Sequence, residues 1–314
     1  MTFFDLASLA KPLVTATLAH AFLDLDADRR WALGFHDRAE PLTVRQLLSH
    51  SAGLPPWAPY TGEPLAEQLR LGLPTGSHPL FASAKAGEAT YSDLGYRLIG
   101  ELLEGELGLS WKQLGQGATG LSAAPWREAP RVLPAGPDAE AWPLATDLPM
   151  PKMDPHWPHD ANARAGMPGH AGFGATAGQL EGWLRRWIAA GWPARMAVET
   201  AVSAEGAHWG LGLQRVLPGP YLEALGGLSL PPGSLQVLVD STEALPSSPP
   251  TQGAELSPSE PWWYHLAFTG PALFVRPSDG TCVALLCHRA GPAGLLDAEG
   301  LRARRWGILV KLQG

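Results

Sequence analysis

Charge is scarce in this chain. Only 17% of its 314 residues are Asp, Glu, Lys or Arg, and the Lys and Arg residues form no cluster. With a formal net charge of -7, that excludes nucleic acid as the main partner. Cysteine is scarcer still: Cys282 and Cys287 are the two, five residues apart in TCVALLCHR. On a strand that odd spacing turns them to opposite faces, so no bridge joins them and no disulfide framework exists. Such a chain fits a reducing compartment, and a cytoplasmic location is expected. No apolar run reaches membrane-spanning length, which excludes a membrane partner of that kind. LVTATLAHAF near the N-terminus has a faint signal-peptide look, but Asp5 and Lys11 interrupt the apolar run and no basic segment precedes it. No internal repeat is visible.

What is present is a hydrophobic fraction of 45%, enough to drive a compact fold. The 36 glycines and 31 prolines predict long irregular stretches, placed at about residues 113–160 and 216–260 and read as surface connections. Helical spacing of apolar residues runs through LVTATLAHAFLDL, and Pro12, tolerated only in a first turn, sets that helix start near Ser8. TVRQLLSHSAGL predicts a short helix capped by Thr43. YSDLGYRLIGELLEGELG predicts a longer one, capped by Ser92 or Asp93. ATAGQLEGWLRRWIAAG predicts a third, from Thr176 to Gly191. Strands gather late. HWGLGLQRV and WWYHLAFTG come first, then ALFVRP and TCVALLCHR joined by Ser278-Asp279-Gly280 as a hairpin. AEGLRARRWGILVKLQG is expected to be a closing helix packed on that sheet.

The chemistry begins in FFDLASLAKP, where Ser8 and Lys11 are three residues apart. On a helix that spacing puts both on one face, so the amine reaches the hydroxyl. At a helix N-terminus the dipole disfavours an extra ammonium, which suits Lys11 as a base, and the free N–H of Ser8 suits an oxyanion. Read alone, Ser8 is a capping serine and Lys11 a solvated side chain. Four further segments change that. LTVRQLLSHSAGLP, YSDLGYRLIGELLE, HDANARAGMPGHAGFGATAGQL and YHLAFTGPALFVRP with ALLCHRAGP follow in order. Together the five segments resemble serine hydrolases of the class C β-lactamase and penicillin-binding-protein type, over nearly the whole chain.

The resemblance implies a single α/β (α+β) domain, 1–314, with an antiparallel sheet flanked by helices. Its helical region would span about 24–200, and its sheet region would be formed by 1–23 and 201–314. It implies Ser8 as nucleophile, and Tyr91, in the place of the family's Tyr-x-Asn tyrosine, as proton relay. Asp93 stands where that motif has Asn. Beside Lys11 its charge would hold the lysine protonated and shift the base role to Tyr91, and a helix-capping role is compatible. His265 occupies the family's Lys/His position, able to donate to Tyr91 or to a substrate oxygen. Phe268 would supply a second oxyanion N–H. Leu266 and Ala267 replace the family's Thr and Gly. Loss of the Thr hydroxyl removes a partner for a substrate carboxylate, so short esters are expected to be preferred over β-lactams and D-Ala-D-Ala peptides.

Of His156, His159, Asp160 and His170 only His156 and His159 have a ligand-like spacing, in a Pro-rich segment that no Cys or second close His pair joins, so no metal or organic cofactor is expected, and Asp160 and Asn162 are read as pinning a loop. His50 and His170 are read as structural. The similar proteins carry two strands ahead of the serine helix, whereas this chain begins at that helix. Either the true start lies upstream, or the sheet is smaller with one bare edge. The expected activity is hydrolysis of a small acyl substrate through an acyl-enzyme on Ser8. The alternatives are an impaired pseudo-hydrolase with a binding role, or a β-lactamase or D-Ala-D-Ala carboxypeptidase.

Overall fold

The computed structural model describes residues 3–36, 39–70, 87–123, 160–240, 261–291 and 294–313. In chain order the first half comprises β1 (Phe3–Asp5), a 3-10 turn (Ala7–Leu9), a π-helical stretch (Lys11–Ala16) and α1 (Thr17–Phe22), then α2 (Val44–Leu48), α3 (Leu65–Arg70), α4 (Asp93–Leu107), α5 (Trp111–Thr119) and β2 (Ser122–Ala123). There follow α6 (Ala161–Ala165), β3 (Phe173–Thr176), α7 (Ala177–Ala189), α8 (Trp192–Met196), β4 (Ala201–Val202), β5 (His208–Trp209), β6 (Gln214–Arg215), α9 (Pro220–Gly226) and β7 (Leu235–Val239). The chain closes with β8 (Trp263–Leu266), β9 (Ala272–Arg276), β10 (Thr281–Leu286), β11 (Ala290–Gly291), β12 (Gly294–Leu295) and α10 (Ala298–Val310).

The caps read from the sequence are in place. Thr43 and Thr176 close capping boxes with Gln46 and Gln179, and Ser92 rather than Asp93 caps α4 by accepting from the Gly95 amide. Each satisfies a backbone N–H that a first helical turn leaves unpaired. The entry to the serine helix differs from expectation. Ser8 lies on the 3-10 turn, and the helix becomes regular only at Thr17. Pro12 has no N–H to give, and Thr17 Oγ1 donates to the Pro12 carbonyl at 3.1 Å, so the usual ladder cannot close there.

The large sheet has the order β4-β5-β6-β8-β9-β10-β7. It is antiparallel except at β7, which runs parallel to β10 in register from Leu235 against Cys282 to Val239 against Leu286. The edge beside β10 is therefore not bare: β7 covers it. That strand and α9 fall inside the stretch 216–260 expected as connection, and most of α5 and all of β2 fall inside 113–160; residues 124–159 and 241–260 lie outside those described. β1 joins a separate small sheet, β1-β3-β2, rather than the large one.

Both faces of the large sheet are covered. Leu273, Val275, Cys282, Ala284 and Leu286 pack into the core shared with the serine helix, α2, α4 and α7. Ala272, Phe274, Val283, Leu285 and Cys287 pack on the other side against Leu225 of α9 and Leu301, Ile308 and Leu309 of α10. Strict alternation along β10 thus separates the two cysteines, which are free and buried, as their spacing predicted. Among the described residues no helix is long and apolar enough to cross a membrane.

α7 anchors the serine helix. Trp183 Nε1 donates to the Leu13 carbonyl at 3.1 Å and Trp187 Nε1 to Thr17 Oγ1 at 2.9 Å. The loop before β3 presses on the other side, where Thr15 Oγ1 donates to the Gly169 carbonyl. Gly169 has φ +87°, and a Cβ there would lie 1.8 Å from the Tyr96 carbonyl oxygen. Gly169→Ala is therefore expected to destabilise the fold by about 3 kcal/mol or more, measured as a lowered midpoint in urea or thermal unfolding.

Candidate active site

The nucleophile turn is built under strain. Ala7 takes φ +39°, a left-handed conformation that a Cβ disfavours, and its amide donates to Asp5 Oδ1 at 2.8 Å. That bond bends the chain from β1 into the turn carrying Ser8. One turn later the Lys11 side chain is fully buried, with Nζ 3.0 Å from Ser8 Oγ, 3.2 Å from the His170 carbonyl and 2.7 Å from Asp93 Oδ1. Nζ thus donates to Ser8 Oγ and the His170 carbonyl and is ion-paired with Asp93.

Tyr91 arrives from the entry to α4, and its hydroxyl donates to Ser8 Oγ at 3.1 Å. His50 holds this entry. Its Nδ1 accepts from the Ser92 amide at 3.0 Å, and its ring packs on Tyr91, Tyr96 and Trp209 with centroids 4.6, 5.2 and 4.6 Å away. Burial, the Lys11 charge and His265 keep the His50 pKa well below its usual value, so the ring is neutral. The sequence reading of His50 as structural agrees with this placement.

Electrostatics define the resting protonation. Burial alone would lower the Lys11 pKa, but the Asp93 carboxylate and the Tyr91 phenol outweigh it and drive the net shift upward. Lys11 is an ammonium, as the Asp93 substitution led us to expect. The Tyr91 pKa is also raised, by desolvation, with Lys11 opposing and Asp93 adding to the rise. At neutral pH Ser8 Oγ therefore accepts from an ammonium and from a neutral phenol, and Tyr91 must lose its proton before it can take one.

Ser8, Tyr91 and Asp93 line a cavity of about 480 Å³ that is also lined by Trp57, Leu266, Phe268, Arg289, Arg302 and Arg305. A second lobe of about 260 Å³, lined by Trp209, Tyr264 and His265, shares Tyr91 and Leu266 with it. His265 Nδ1 lies 3.2 Å from the Gly212 carbonyl, so that nitrogen carries the proton. Burial, with Lys11 adding to the effect, lowers its pKa to about 3. The expected donation from His265 to Tyr91 or substrate is corrected accordingly: the neutral ring leaves Nε2 only able to accept.

Three arginines were missed. Arg289 leaves the end of β10 and stacks its guanidinium 4.0 Å from the Phe268 ring centroid. Arg302 and Arg305 lie on α10, and neither has a carboxylate within 4 Å among the described residues. Their spacing of three on a helix was the available signal, since it puts both on one face. They also alter the inference drawn from Leu266: the cleft has cationic groups for a substrate carboxylate after all.

His170 was likewise set aside, yet it lines the cleft, holds Lys11 through its carbonyl, and pairs through Nε2 with Asp160 Oδ1 at 2.7 Å. Asp160 caps α6 at the Ala163 amide, and Asn162 bonds the Tyr60 amide and the Ala58 carbonyl, so both pin the loop as expected. Asp93, Asp160 and His170 present ligand atoms within 4.8 Å of one another, a spacing that could hold a divalent cation. Lys11 already neutralises Asp93 in that group. His156 and His159 lie outside the described residues.

The family model described as Beta-lactamase matches residues 1–305. Among solved structures the chain is similar to a class C beta-lactamase, at 16% identity over 100% of this chain and 83% of that one, TM-score 0.57. It is similar to the D-amino acid amidase from Ochrobactrum anthropi SV3 complexed with L-phenylalanine amide, at 15% identity over 98% and 83%, TM-score 0.58. It is also similar to SurE, at 19% identity over 97% of this chain, TM-score 0.52, and spans 62% of the length of that protein. At such identities the structural likenesses show the fold. No curated protein matches the chain.

Asp93 raises the pKa of both Lys11 and Tyr91, so its neutral isostere should lower both. In Asp93→Asn the alkaline rise of Ser8 reactivity toward a fluorophosphonate is expected to move to lower pH, read from labelling rates across pH, and an unmoved profile would overturn the role given to Asp93.

Proposed function

The chain belongs to the beta-lactamase family, and from that premise we propose that it is a serine hydrolase forming an acyl-enzyme on Ser8. The observation that carries this reading is the convergence of Lys11 Nζ and Tyr91 Oη on Ser8 Oγ, at 3.0 and 3.1 Å, on the wall of the cleft. Tyr91, deprotonated beside the Lys11 ammonium, takes the Ser8 proton as Oγ attacks the acyl carbonyl. The Ser8 and Phe268 amides receive the oxyanion. Tyr91 then returns the proton to the departing group. In the second half a water molecule gives its proton to Tyr91 as it attacks the acyl carbon, and Tyr91 passes that proton to Ser8 Oγ as the acyl–Oγ bond breaks and the acid departs. Lys11 remains charged throughout, because the Asp93 carboxylate stabilises the ammonium and the phenolate needs a cation near it.

The arginines favour a finer reading of the substrate. Leu266 still supports uncharged acyl esters as substrates, but Arg289, Arg302 and Arg305 line the same cavity, and they support an acyl substrate that carries a carboxylate or similar anion. The exposed Arg302 is the least tied of the three. A pseudo-hydrolase of this fold would keep the cleft and lose turnover, and the labelling experiment separates the two.

Stoichiometric fluorophosphonate labelling of the wild type, abolished in Ser8→Ala and read by intact mass, is the expected outcome. Folded wild-type protein that takes no label would refute the hydrolase. In Lys11→Ala, turnover of a small chromogenic ester should fall by about three orders of magnitude or more, and near-normal turnover would sink the Ser-Lys assignment. Arg302→Ala should lower kcat/KM for a chromogenic cephalosporin by about ten- to a hundredfold while leaving the neutral ester nearly unchanged. Equal losses for both would remove the anionic reading.

A further inference from the structure

We infer that Asp5 and Thr269 are positioning residues that lock together the two turns supplying the oxyanion donors. This rests on the assignment of the Ser8 and Phe268 amides to that role. The two turns come from opposite ends of the chain, and their relative placement has to be held by something other than local backbone.

On the nucleophile side, Asp5 does the holding. Its carboxylate accepts from the Ala7 amide at 2.8 Å and so maintains the left-handed backbone immediately before Ser8. On the other side, Phe268 sits in a turn braced at several points. The buried Arg305 guanidinium, projecting from α10, donates to the carbonyls of Ala267, Gly270 and Pro271. The Arg289 amide donates to the Thr269 carbonyl at 2.7 Å, and its guanidinium covers the Phe268 ring.

Thr269 joins the two sides. Its hydroxyl donates to the Asp5 main-chain carbonyl at 2.8 Å, and both residues are buried, Thr269 at 3% exposure and Asp5 at 8%. Asp5 therefore bonds the nucleophile turn with its side chain and the Phe268 turn with its backbone. A hydrogen bond shielded from water in this way holds its geometry, because neither group can exchange it for solvent. Movement of either turn would break the bond or strain Ala7. Donors aimed at an oxyanion act through fixed separation, so a bond that fixes the separation acts on the barrier without touching substrate.

Thr269→Val keeps the shape and removes the donor, whereas Thr269→Ser keeps the donor. Amide exchange of Ala7, resolved by NMR, and the rate of fluorophosphonate labelling of Ser8 are measured in both variants, with thermal melts to verify folding. In Thr269→Val the Ala7 amide should exchange about tenfold faster or more, and labelling should slow by about ten- to a hundredfold. Thr269→Ser should restore both. Should the valine variant not fold, Thr269→Ala provides the same comparison. A folded variant with unchanged Ala7 exchange overturns the inference, and so does faster exchange with an unchanged labelling rate. A purely structural threonine would lower the melting temperature and leave the Ala7 amide as it is. The exchange measurement needs no turnover, so a wild type that fails to label refutes the hydrolase while Ala7 exchange still tests the bond.

Discussion

A lysine with no exposed surface needs its charge compensated, and much of this site follows from how Lys11 is compensated. Transferring an ammonium out of water is so costly that it persists only where its N–H groups are all accepted and an anion lies close. Here Asp93 supplies the anion, and Ser8 Oγ and the His170 carbonyl supply the remaining acceptors. Removing one partner of such a buried pair costs about 3–5 kcal/mol. The first residue of α4, the loop before β3 and the serine turn are therefore held around one atom. Asp93 suits its place for a second reason, since a carboxylate in the first turn of a helix faces the positive end of the dipole. The charge that stabilises the fold at this point also sets the protonation of Tyr91.

Around that pair the backbone is rigid and partly strained. Ala7 and His50, at φ +39° and +59°, are the non-glycine residues of positive φ among those described, and they flank Ser8 and Tyr91 respectively. Each costs about 1–2 kcal/mol, and each is held by side-chain or main-chain bonds. Asp5 holds Ala7, while the Ser92 and Thr90 amides bond the His50 imidazole and carbonyl. Strain kept at a site in this manner fixes the reacting groups before substrate arrives. The aromatic packing of His50 on Tyr91, Tyr96 and Trp209 works to the same end, because a neutral buried imidazole adds contact without another charge.

The cleft is electrostatically uneven. Near Ser8 the Lys11 and Asp93 charges neutralise each other, while the arginines of the strand end and of α10 give the cavity a cationic side. On the far side of Tyr91 lie aromatic rings and an imidazole whose Nε2 can only accept. An acyl group entering between them meets a different chemistry at either end, so selectivity is a matter of which side each substituent takes.

The sequence by itself determined whatever is encoded within a turn or a hairpin. Ser8 and Lys11 three apart, the caps at Thr43 and Thr176, the β9–β10 hairpin and the opposed faces of Cys282 and Cys287 all follow from local signals and from the periods of 3.6 and 2. The resemblance carried by five ordered segments added Tyr91, Asp93, His265 and Phe268 as positions, and the Asp93 charge already implied a protonated lysine. Only the tertiary structure decided which nitrogen of His265 carries the proton, because the Gly212 carbonyl that fixes it comes from the connection between β5 and β6. It alone brought Arg289, Arg302 and Arg305 to the serine cleft, placed β7 parallel on β10, and set the Thr269 hydroxyl on the Asp5 carbonyl. Those contacts join residues far apart in the chain through packing, and no spacing along a sequence records which distant groups will be buried together.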